Sequence, residues 1–178
     1  MTPETAPVHR KAVHRGREAL VGLAAFMGAV FIAMLVAGVA TGLGVNGWYA
    51  ETPKPFWTPP DWVFTPVWTL LYVSMAVAAW IVWRRDGWRG ARLALLLFFA
   101  QLLLNVLWPV LFFMLKETGW ASAELVVLVL VILATAWRFD RHSRIAAMLL
   151  LPYAVWAGYA ASISIGVWLM MPESPPPV

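Results

Sequence analysis

Gln101, Asn105 and Trp108 recur at i, i+4 and i+7 inside an otherwise apolar run, and Pro109 follows them. On a helix this spacing puts the three side chains on one face. The Pro109 ring displaces the carbonyl four residues back, so position 105 offers a side-chain amide and a freed backbone oxygen together. Such groups must find a neighbouring residue, a water or a ligand when no bulk water is present. Trp156, Ala160 and Ile163 repeat the spacing, with Tyr153 and Tyr159 three residues either side of Trp156. Trp68 and Tyr72 share a face, as do Trp120 and Glu124. Indole faces stack on flat apolar rings and a few amides and hydroxyls orient them, so these groups suit recognition of a ring-shaped molecule.

Other chemistries lack their residues. The chain has no cysteine, which removes disulfides, thiol nucleophiles and thiolate metal ligands. His9, His14 and His142 show no metal-ligand spacing, so no metal site is expected. No Gly-rich phosphate loop precedes a Lys-Ser/Thr pair. No pair of carboxylates inside the apolar runs marks a proton-coupled carrier, and no conventional catalytic constellation is present. Glu124 is the sole carboxylate well inside a run, and its nearness to the run's start reads as a position by the lipid headgroups.

The elements that must position these groups are membrane spans. Of the 178 residues 62% are hydrophobic and 12% charged, with mean hydropathy +0.74. A soluble domain carries about 25% charged residues. Cutting the apolar runs at charges, prolines and glycines predicts helices over about 19–43, 65–83, 91–115, 120–137 and 145–170. Each can cross ~30 Å of hydrocarbon at 1.5 Å per residue. The runs do not alternate in polarity, which excludes a β-barrel. The fold class is therefore all-α, an integral membrane bundle of five transmembrane helices. Residues 1–18 read as a flexible basic tail, 19–171 as the membrane domain and 172–178 as a disordered tail.

Eleven of the thirteen Lys and Arg residues fall in the N-terminal tail and the second and fourth loops, leaving Lys54 and Lys116 on the other side. This bias places the N-terminus inside and the C-terminus outside. It also accounts for the net charge of +4 without a nucleic-acid partner. The first loop, with the start of the second helix, reads "WYAETPKPFWTPPDWVFTPVW", four tryptophans and five prolines. Proline fixes φ and keeps such a segment extended, so the loop is expected to act as a stiff lid on the outer side. Trp80, Trp83, Trp88 and Trp137 at the inner ends read as an interfacial belt. Gly38-x-x-x-Gly42 gives a small-residue packing face, compatible with a homodimer.

The segment "WYAETPKPFWTPPDWVFTPVWTLLY", followed in order by "QLLLNVLWPVLFF", "GWASAEL" and "PYAVWAGYAASIS", resembles the tryptophan-rich sensory protein family, TspO/MBR, whose mitochondrial members are the translocator proteins or peripheral benzodiazepine receptors. The resemblance covers about residues 19–168. It implies a five-helix bundle with a cavity beneath the first loop that binds porphyrins and related flat apolar ligands, with lipid as surroundings and no cofactor required. By matching motif positions, Trp68, Asn105, Trp108, Trp120 and Trp156 would line or close the cavity, with Ala160 and Ile163 on its fifth-helix wall. Trp48, Lys54 and Trp57 of the lid complete the expected ligand-binding set, Lys54 serving a propionate at the mouth. A bacterial cytoplasmic membrane is the expected location. Light-dependent breakdown of bound protoporphyrin, linked to some bacterial members, would make Trp68 and Trp156 catalytic. The chain has Ile163-Ser164 where the family motif carries Leu-Asn, and it lacks the sterol segment of animal members. A tetrapyrrole receptor or sensor is the first reading, a porphyrin-degrading enzyme the second and a small transporter the third.

Overall fold

A backbone inside hydrocarbon must satisfy its own hydrogen bonds, and the long apolar runs do so as helices. The computed structural model describes residues 14–171. In chain order it has α1 (Arg17–Gly42), a one-turn helix α2 (Trp48–Glu51), a 3₁₀ turn (Asp61–Val63), α3 (Phe64–Gly90), α4 (Arg92–Pro109), a π-helical turn (Val110–Met114), α5 (Thr118–Asp140) and α6 (Arg144–Met170). Five of these stretches are long and apolar enough to cross a membrane, and α3 with its preceding 3₁₀ turn is one of them. The chain is an all-α integral membrane protein.

The expected tails lie mostly outside the described residues, which begin at His14 and end at Met171; Arg17 and Glu18, assigned above to the tail, already belong to α1. α3 does not stop before Arg84-Arg85. It continues to Gly87, where φ 67° and ψ −178° break the helical path. Arginine side chains can reach the interface from a helix end, so the charge pair does not end the helix; the glycine, free to take positive φ, does. The next span runs from Arg92 to Met114, close to the expected 91–115, but its α-helix gives way at Pro109 to the π turn. Proline removes one intrahelical hydrogen bond, and such wide turns often sit at functional sites.

The packing runs around a closed ring in the order α1, α3, α6, α5, α4 and back to α1. Small residues let the backbones approach: Ala76, Ala78 and Ala79 of α3 and Ala157 of α6 are fully buried. Ser74 Oγ donates to the Leu149 carbonyl at 2.7 Å, joining α3 to α6.

The two ends differ in chemistry. At one, Trp80 Nε1 donates to the Ala19 carbonyl at 2.7 Å and His142 Nδ1 meets Asp86 Oδ2 at 2.7 Å. Trp83 stacks on His14 with centroids 4.0 Å apart and fills the space above Gly22, where a Cβ would run into its ring. Trp80 and Trp83 therefore join α1 to α3, whereas Trp88 and Trp137 are exposed as expected of a belt. Arg84 lies over Trp80 at 4.6 Å and Arg141 over Trp137 at 4.2 Å, cation–π contacts suited to an interface. At the other end the first loop folds over the bundle.

Candidate functional site

Near the loop end, α1, α3, α4, the π turn and α6 leave a cavity of about 470 Å³. Ligand sites typically enclose about 300–1,000 Å³. Its space comes from missing side chains. Ala37, Gly38, Thr41 and Gly42 line it from α1, and a Cβ built on Gly38 or Gly42 would meet nothing within 4 Å. The Gly38-x-x-x-Gly42 stripe, read from sequence as a packing face, is thus part of the cavity wall.

The aromatic wall is built by Trp68, Tyr72, Trp108, Phe112 and Phe113. Trp108 stacks on Phe112 with centroids 5.2 Å apart and planes at 27°. Trp68 tilts against Tyr72 at 6.1 Å and meets Tyr153 edge-on at 6.2 Å. The Trp108 Nε1–H is buried without a hydrogen-bond partner among the described residues. Ala160, Ile163 and Ser164 close the α6 side. Ser164 shares a 2.9 Å hydrogen bond with Ser122 of α5.

Asn105 reaches the wall but is also a strut. Its Oδ1 accepts from the Tyr72 hydroxyl at 2.5 Å, and its Nδ2 donates to the Tyr153 hydroxyl at 2.7 Å. The amide thereby ties α3, α4 and α6 together. Gln101, one turn below on the same face, is wholly buried with neither amide atom partnered among the described residues. Glu124 departs from its headgroup reading: it is buried, with both carboxyl oxygens unpartnered. It shares the inward face of α5 with Ala121, Leu125 and Leu128, which turns its side chain toward the bundle.

The lid is shorter and better anchored than an extended loop. Trp48–Glu51 makes a helical turn in place of the extended backbone that the prolines suggested. Trp48 Nε1 donates to the Phe113 carbonyl at 3.1 Å, and Tyr49 packs edge-on against Phe112 and Phe113 at 5.6 and 5.3 Å. On the far side the Tyr159 hydroxyl donates to the Trp57 carbonyl at 2.5 Å, and Pro55 sits where a Cβ on Gly166 would be. The underside of the lid consists of Val45, Asn46, Tyr49 and Asp61. Burial, and secondarily the negative charge of Asp61, push the Tyr49 hydroxyl up to about 12.

Of the residues expected at the site, Trp68, Asn105, Trp108, Ala160 and Ile163 line the cavity. Five others stand outside its lining. Trp48 is turned to the Phe113 carbonyl, and Lys54 Nζ is held by the Ala50 and Thr52 carbonyls at 3.2 and 3.3 Å, over the Tyr49 ring. Trp57 points outward against Phe56. Trp120 is 72% exposed, because the boundary of the buried α5 face passes between it and Glu124. Trp156 lies behind the wall, edge-on to Phe64 at 5.8 Å, and Phe64 itself lines the cavity. Sequence reading left out Tyr49, Asp61, Phe112 and Phe113. The density of aromatics around Pro109 was a usable signal for the phenylalanines.

The model of the TspO/MBR family matches residues 24–169. The tryptophan-rich protein TspO of Archaeoglobus fulgidus is 36% identical over 146 residues, covering 80% of this chain and 94% of that protein. The translocator protein of Sus scrofa is 40% identical over 123 residues, covering 68% and 73%. The tryptophan-rich sensory protein of Cereibacter sphaeroides is 38% identical over 136 residues, covering 75% and 84%.

Proposed function

The chain belongs to the TspO/MBR family, and from that premise we propose that it is a membrane receptor or sensor whose cavity takes a flat, largely apolar ring compound of the tetrapyrrole class. The observation that carries this reading is the cavity itself: about 470 Å³, walled by two indoles and three phenylalanines and closed by an anchored loop. Aromatic walls favour a ring ligand by stacking, at about 0.5–1.5 kcal/mol per good ring pair beyond the burial of area. Burial of apolar area adds roughly 25 cal/mol per Å² before the costs of association. The names of the relatives, sensory and translocator proteins, fit a ligand-responsive membrane role.

The test is titration of the protein in lipid nanodiscs with protoporphyrin IX, read by tryptophan fluorescence. Saturable quenching is expected, weakened about tenfold by Trp68→Phe and less than threefold by Trp156→Phe, because Trp68 lines the cavity and Trp156 stands behind Phe64. Quenching that is linear in porphyrin, equal to that of nanodiscs carrying an unrelated membrane protein, would overturn the tetrapyrrole reading.

A further inference from the structure

Asp61 is the one charged side chain among the described residues that line the cavity. It opens the 3₁₀ turn that leads into α3, yet its carboxylate makes no hydrogen bond and no ion pair among the described residues. Its structural employment is therefore slight, and it stands exposed among the residues at the cavity rim. The nearest cation offered by the loop, Lys54, is committed elsewhere. Its Nζ donates to two loop carbonyls and lies 4.5 Å from the centre of the Tyr49 ring, and Tyr49 stands between it and the cavity.

We propose that Asp61 sets the charge preference of this cavity, favouring ring ligands whose rim-facing edge is neutral or hydrogen-bond-donating over those presenting carboxylates there. The inference rests on the tetrapyrrole reading above and narrows it: the tetrapyrroles favoured are those with esterified or absent acid groups at the mouth. One opposing effect must be weighed. The N-terminus of α3 carries about half a positive charge, which attracts anions. The full negative charge of Asp61 at the same helix end outweighs it, and Coulomb repulsion across ~7 Å of interfacial medium amounts to about three- to tenfold in affinity. The influence of Asp61 already reaches Tyr49, whose hydroxyl it helps to keep protonated.

The experiment compares protoporphyrin IX with its dimethyl ester, each titrated against the full chain and against Asp61→Asn in zwitterionic nanodiscs. Partition of each porphyrin into lipid cancels when the same porphyrin is compared across the two proteins. The expected result is that Asp61→Asn tightens the free acid about three- to tenfold, leaves the ester within twofold, and loses most of that gain in 0.5 M salt, where the screening length is only ~4 Å. Asp61→Ser, which also removes the charge, is expected to repeat the effect, so that a folding fault in one variant does not decide the matter. Equal changes for acid and ester, or none for either, would overturn the role of Asp61 while saturable binding upholds the tetrapyrrole reading. No saturable binding of either porphyrin to either protein would overturn both.

Discussion

The indole Nε1–H of Trp48 donates to the carbonyl oxygen of Phe113 at 3.1 Å, linking the start of the first loop to the π turn after α4. The acceptor lies in the segment where Pro109 interrupts the regular α-helical ladder. Pro109 and Trp48 thus belong to one device: the proline disturbs the helix, and the loop tryptophan fastens onto the wide turn that follows.

Trp48→Phe keeps the ring but removes this donor. A net hydrogen bond contributes about 0.5–1.5 kcal/mol. The lid should open more often, raising the ligand dissociation rate roughly three- to tenfold with little change in melting temperature. Stopped-flow displacement measures it. An unchanged dissociation rate would show that the bond does not hold the lid.

Asn105→Leu should act first on stability. It leaves the Tyr72 and Tyr153 hydroxyls without their amide partner, at roughly 1–3 kcal/mol, nearer the low end in a membrane interior. Unfolding in dodecyl sulfate should shift accordingly, while ligand affinity changes less. Unaltered stability with abolished binding would make Asn105 a ligand contact and not a strut.

Tyr49 gives the lid a pH limit. Its hydroxyl is pushed up to about 12 from 10.0, first by burial and then by Asp61, so the fold holds the neutral form. That contribution is complete below pH 10, where the unfolded chain also keeps the proton, and is lost as pH rises toward 12. Thermal stability should fall over that window, and Tyr49→Phe, which cannot ionise, should remove part of the fall. Identical profiles for the two proteins would contradict the burial of this hydroxyl.

The spans were legible because charge in lipid is costly, so arginines and lysines bracket the apolar runs. Their ends were less so. Arg84-Arg85 marked the interface, but a helix ends where its backbone changes, at Gly87. Within the site, helical spacing told which residues share a face. It brought Asn105 and Trp108 together correctly because both line the cavity from α4. It could not separate Trp120 from Glu124, since residues four apart differ by about 40° and the edge of buried surface passes between them. Gly38 and Gly42 were readable only as small; whether small residues admit a neighbouring helix or leave a hollow depends on what stands opposite. The lid defied periodicity altogether. Its tryptophans drew notice, yet Tyr49 and Asp61 line the cavity, Tyr49 from the helical turn at Trp48–Glu51, which sets its side chains in another order than an extended strand would give, and Asp61 from the 3₁₀ turn before α3.

The most direct test is to fill the cavity. A Cβ on Gly38 meets open space, so Gly38→Phe can place its ring in the hollow without moving the backbone. Gly28→Phe is the control, since that glycine also faces open space but lies outside the cavity lining. Loss of a helical glycine should hold or raise the melting temperature, by up to about 1 kcal/mol of stability. Gly38→Phe is expected to weaken protoporphyrin IX binding at least about tenfold while Gly28→Phe binds like the unaltered chain. Equal binding by all three proteins, each folded, would contradict the cavity assignment.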